Sequence, residues 1–127
     1  MAFLGSFDIS ASGMSAQRVR MDIAAENIAN MDTTRTESGG PYRRKNVLLE
    51  SYSDTSFAQA MENAARGKGI SSRHAGVRVS GIVEDDREAK KVYNPDHPDA
   101  DADGYVTRPN VDVLKETVDS MSATRSY

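Results

Sequence analysis

The chain has 127 residues, 38% of them hydrophobic and 6% aromatic, with no tryptophan and no cysteine. That length suits one domain with a modest core, and the missing cysteine excludes disulfides and thiolate metal sites. A net charge of −3 argues against a general nucleic-acid binder, and no run approaches the 18 apolar residues that a membrane helix needs.

The opening MAFLGSFD has no basic start and no long apolar stretch, so it does not read as a cleavable secretory signal. A long helix is predicted over residues 7 to 30, entered through Ser6 or Asp8 as the capping side chain. Phe7, Met14, Met21 and Ile28 recur every seven residues, with Ala11 and Ala25 beside them. Ala16, Val19 and Ile23 form a second stripe on the opposite side. A helix that is apolar on two sides has two partners to find; Gly13 within it would suit close approach of another backbone, but mere tolerance of the glycine is the favoured reading.

The helix ends near Asn30, because MDTTRTESGGP lacks periodicity and closes on a Gly-Gly-Pro breaker. A strand is predicted over 42 to 50, and its opening Arg43, Arg44 and Lys45 read as a solvated edge. A short helix near 56–66 carries Phe57, Ala60, Met61, Ala64 and Ala65 on one face, with Ser56 and Gln59 as a capping box. A loop follows through His74, then an alternating strand over 76 to 84 in which Gly81 marks a bulge, and a further short strand that ends by Pro95.

The last helix is predicted from Asn110 as N-cap, with Asp112 and Glu116 near its positive end. Val111, Leu114, Val118, Met121 and Arg125 alternate three and four apart, the seam of a coiled coil. Pairing this seam with the seven-residue stripe of the first helix would bury both. The fold class expected is therefore α+β. Two long, coiled-coil-forming terminal helices, free to be disordered or rearranged in an isolated subunit, flank a small β-rich middle with one short helix. The segments divide at 1–34, 35–109 and 110–127.

Residues 84 to 103 hold eight acidic residues against three basic ones. Within them Asp99, Asp101, Asp103 and Gly104 fall at positions one, three, five and six of an EF-hand loop. Asn110 stands where a bidentate Glu is needed, and Pro95, Pro98 and Pro109 oppose the flanking helices. A turn of solvated carboxylates is the favoured reading, and a calcium-dependent binding module using the Asp99 to Asp103 loop is the alternative. His74 and His97 are isolated, and no catalytic triad, phosphate-binding loop or cofactor site can be assembled.

SGMSAQRVRMDIAAENIANMDTTRT resembles the N-terminal signature of the bacterial flagellar axial proteins, with Gln17, Asn27, Ala29, Asn30 and Thr33 at matching positions. GGPYRRK, VYNPDHPDADADGYVTRPNVDV and MSATRSY resemble the proximal-rod members of that family, while Leu49 to Arg73 is left unassigned. The resemblance implies a non-enzymatic structural subunit of the flagellar basal-body rod, without a cofactor. Such a subunit is exported unfolded by the flagellar type III apparatus and polymerises in the periplasm to transmit torque. Its partners would be itself and the rod proteins FlgB, FlgF and FliE.

The assembly interface expected on this reading comprises Phe7, Met14, Gln17, Met21, Ile23, Asn27, Ile28 and Asn30 from the first helix. Val111, Leu114, Val118, Met121, Arg125 and Tyr127 complete it from the last. Gln17, Asn27 and Asn30 would act as polar register devices within it. The family's last helix continues past the Arg-Ser-Tyr motif, so this seam is expected to be short by several turns.

Overall fold

A computed structural model describes residues 2–53, 57–67 and 75–127. Along the chain come α1 (Ala2–Ala29), β1 (Lys45–Ser53), α2 (Phe57–Ala65), β2 (Ala75–Glu84), β3 (Lys90–Tyr93), β4 (Tyr105–Arg108) and α3 (Val113–Ser126). The architecture is α+β, with a long helix at the start, a shorter one at the end and two antiparallel hairpins between them.

α1 starts well before either capping residue expected for it, so Ser6 and Asp8 lie inside the helix. Its 28 residues span about 42 Å. It stops where anticipated: Asn30 donates from its side chain to the Glu26 carbonyl at 2.9 Å and accepts from the Thr33 hydroxyl at 3.2 Å. The Asn30 backbone N–H also donates to the Glu26 carbonyl at 3.0 Å, so Asn30 binds the last turn through both its backbone and its side chain. A Cβ at Gly13 would meet nothing within 4 Å, so no backbone packs closely there, and the glycine is simply tolerated.

β1 and β2 pair from Lys45 with Glu84 to Ser53 with Ala75, so β1 takes in three residues read as connection. The register shifts between Leu48, opposite Gly81, and Leu49, opposite Val79. The bulge thus lies beside Gly81 and sets Ser80 as the extra residue. β3 pairs with a strand absent from the sequence reading, β4, through the Asp-rich segment. That turn requires Gly104, whose φ is +84° and whose added Cβ would sit 3.0 Å from Tyr93 Cε2 and 3.3 Å from Pro95 Cβ. Tyr93 and Tyr105 close the hairpin edge to face, with ring centroids 5.4 Å apart.

α2 leaves Phe57 and Met61 exposed. The capping reading at Ser56 and the loop readings at 68–74, His74 included, lie outside the described residues.

The C-terminal helix begins two residues later than expected. Asp112, not Asn110, is its N-cap and accepts from the Leu114 N–H at 3.1 Å. Asn110 is buried and serves the body of the molecule: it accepts from the Arg44 N–H at 2.9 Å and donates to the Asp85 and Arg87 carbonyls.

Candidate assembly surface

α1 and α3 pack antiparallel, since Asn27 meets Glu116 while Met21, almost two turns earlier, meets Thr124, about two turns later. The side of α1 that faces the body carries the second stripe. Ala16, Ala24 and Asn27 are buried and Val19 and Ile23 half-buried. α3 answers with Glu116 and Ala123, seven residues apart on one face and both buried. The seam predicted to join the two helices is therefore not the contact they make. Leu114, Val118 and Met121 point away from α1, and Leu114 keeps 73% and Met121 67% of its surface.

A polar cluster takes the place of that seam. Arg44, at the entry to β1, is 6% exposed, and Glu116 only 1%. The Arg44 Nε donates to Glu116 Oε1, Nη1 to the Asn46 side chain, and Nη2 to Asp119 Oδ2 at 3.0 Å. Asp85, after β2, lies 3.5 Å from Nη1. Burial works to lower the Arg44 pKa, but the bond to Glu116 and the charges of Glu116, Asp119 and Asp85 raise it above the ordinary value, so the guanidinium is held as a cation.

Asn27 completes the cluster. Its Nδ2 donates to Glu116 Oε2 at 3.2 Å and to the Lys45 carbonyl at 3.0 Å, and its Oδ1 accepts from the Tyr42 hydroxyl at 2.8 Å and the Lys45 N–H at 3.0 Å. All the hydrogen-bonding capacity of this amide is used within the chain. Tyr42 is pushed up to about 12, first by burial and then by Glu26, Glu116 and Glu84. Arg87 draws Asp85 down to about 2 through side-chain and backbone hydrogen bonds, aided by the charges of Arg87 and Arg44 against the opposing effect of burial.

The residues assigned to assembly from the sequence divide accordingly. Phe7, Met14, Leu114, Val118, Met121, Arg125 and Tyr127 are exposed and free to meet a neighbour. Phe7 packs edge to face on Phe3, itself exposed. Gln17, Met21 and Ile28 are half-buried; Gln17 accepts from Arg20 at 2.7 Å and the Met21 sulfur from the Thr124 hydroxyl at 3.4 Å. Asn27 and Val111 are buried inside the chain, Ile23 lies on the covered side, and Asn30 finishes α1. The side-chain hydrogen bonds described for Asn27 and Asn30 are all made within the chain.

Arg44, Glu116, Tyr42 and Asp85 were missed. The seven-residue step from Glu116 to Ala123 was a usable signal, but counting apolar residues passes over a glutamate.

Two carboxylates of the Asp-rich loop, Asp99 and Asp101, bind the protein itself. Asp99 accepts from the Thr34 hydroxyl at 2.6 Å and pairs with Arg35, and these contacts lower its pKa despite some desolvation. Asp101 Oδ1 accepts the N–H groups of Asp103 and Tyr105 at 3.0 and 2.8 Å. Together with the Arg108 to Asp32 pair at 3.2 Å, the Asp99 contacts tie the β3–β4 hairpin to the segment that leaves α1.

Comparison with known proteins places these features in a family. The family described as flagella basal body rod protein matches residues 7–35. The chain is 49% identical over its whole length to the flagellar basal-body rod protein FlgC of Bacillus subtilis, covering 85% of that protein. It is 42% identical to FlgC of Salmonella typhimurium, covering 84% of it, and 38% identical to FlgC of Borreliella burgdorferi, covering 85%, again over the whole of this chain.

Proposed function

Since this chain belongs to the FlgC family of flagellar basal-body rod proteins, we propose that it polymerises through the outward faces of α1 and α3 as a non-enzymatic subunit that carries torque along the rod. The observation that supports this reading is the apolar surface the chain leaves uncovered. Phe3, Leu4, Phe7 and Met14 on α1 and Leu114, Val118 and Met121 on α3 are all more than 40% exposed. Clustered apolar side chains of this kind mark protein contact surfaces. A contact repeated by an operation that does not close on itself builds a filament.

In this reading the segments 1–34 and 110–127 are the assembly parts around a middle at 35–109. The neighbours are other copies of the chain and the rod proteins FlgB, FlgF and FliE. The subunit reaches the periplasm through the flagellar type III apparatus. A charge on the outer face separates assembly from folding. Leu114→Asp with Met121→Asp is expected to keep the parent's circular dichroism and to abolish swimming and rod formation. Ser122→Asp, an exposed polar position on the same helix, is expected to leave both intact. Equal motility of the two variants would remove α3 from the interface.

A further inference from the structure

We propose that the Arg44, Glu116 and Asn27 cluster, and not apolar packing, fixes the register in which α3 lies on α1. The inference concerns the single subunit and holds whether or not the outer faces polymerise.

The helix contact is poor in shape information. Its fully buried apolar residues are small, Ala24 on α1 and Ala123 on α3, and the half-buried Met21 meets only the Thr124 hydroxyl among the contacts described. Small side chains let two helices approach, but a methyl group offers nearly the same surface one turn further along, so alanines alone permit sliding. The larger apolar residues of α3, Leu114, Val118 and Met121, are exposed and contribute no lock. Hydrogen bonds are less forgiving. A slip of one turn, about 5.4 Å, would carry Glu116 out of reach of both Arg44 and Asn27. A buried guanidinium, carboxylate and amide would then lose partners, a state far costlier than any gain from shifted methyl contacts.

The three groups come from separate elements. Asn27 sits near the end of α1, Arg44 at the entry to β1 and Glu116 in the first turns of α3, while Asp119 and Asp85 flank the guanidinium at 3.0 and 3.5 Å. Arg44 also reaches Asn110 through its backbone N–H. One residue thus fixes both the position at which α3 starts and the line along which it runs. The consequence lies on the opposite side: with the register set from within, the outward residues of the two helices stand in one fixed arrangement.

Spin labels provide the test, because the chain has no cysteine and labels attach only where cysteines are introduced. Asp22→Cys and Ser122→Cys are exposed positions on the two helices, and dilution with unlabelled protein keeps the measurement within one subunit. The parent is expected to give one narrow distance distribution. Arg44→Met with Glu116→Met removes both charges and keeps comparable bulk, so the fold is expected to survive. Its distance distribution should broaden or move, with components displaced along the helix by about 5 Å. A narrow distribution at the parent's distance in this double variant would overturn the proposal. Outright unfolding, seen by circular dichroism, would overturn it as well, since the cluster would then be a condition of folding and not a choice between registers.

Discussion

The inner and outer sides of the α1–α3 pair reverse the usual arrangement of a small protein. Within the pair lie alanines and a charged, hydrogen-bonded cluster around Arg44; outside lie Phe7, Met14, Leu114, Val118 and Met121. A chain built to remain alone would place the large apolar residues inside, where each contributes roughly 1.5 to 3 kcal/mol. Here those side chains stay exposed. The lone subunit is held instead by polar contacts, which demand correct geometry but contribute modest net energy.

The largest expected effect comes from breaking the inner side. Arg44→Ala leaves the Glu116 carboxylate buried with Asn27 as its remaining partner, and loss of one member of a buried pair costs about 3 to 5 kcal/mol. Leu114→Ser on the outer side is expected to stay within about 0.5 kcal/mol. Urea unfolding of the two variants in monomeric protein checks both, and similar losses would erase the contrast between the sides.

A smaller effect is expected from pH. Asp85 is held at about 2 against an ordinary value of 3.8. A depressed carboxylate contributes stability that is fully present above pH 4 and is lost as pH falls through 2. Allowing for the half-exposed Arg87 beside it, about 1 kcal/mol should disappear over that window, and Asp85→Asn should flatten the slope in acid unfolding. At the alkaline end, Tyr42 at about 12 has the opposite sign. Its stability contribution is complete below pH 10 and is lost as pH rises through 12. Ultraviolet titration of the chain's five tyrosines should therefore show one that ionises late, and Asn27→Ala should bring it earlier by removing the acceptor of its hydroxyl.

The smallest effect belongs to the acidic loop, far from either side of the helix pair. Asp101→Asn preserves the oxygen that accepts from Asp103 and Tyr105, and a change within about 0.5 kcal/mol is expected. Calcium should leave the melting temperature of parent and variant alike. A rise in the parent that Asp101→Asn abolishes would revive the binding module.

Much of the outline was legible from residue spacing. The two apolar stripes of α1, the stop at Asn30, the bulge near Gly81 and the α+β class all follow from periodicity and turn chemistry, which act over a few residues. The outer apolar residues of α3 were legible in the same way, but their partner was misassigned, because matching repeats in two helices do not reveal which faces meet. β4 was hidden inside a segment whose aspartates dominated its reading, and the true N-cap lay two residues from a plausible rival.

By itself, then, the sequence determined where the helices form and that they carry more apolar surface than one partner covers, since both are consequences of local spacing. Only the tertiary structure decided which surface faces inward. Arg44 and Glu116 stand 72 residues apart and Asn27 and Glu116 89 apart, and neither Arg44 nor Glu116 alone announces a buried role. Burial becomes tolerable for a charge only when its partners arrive together from distant segments, a condition that periodicity along one helix does not contain.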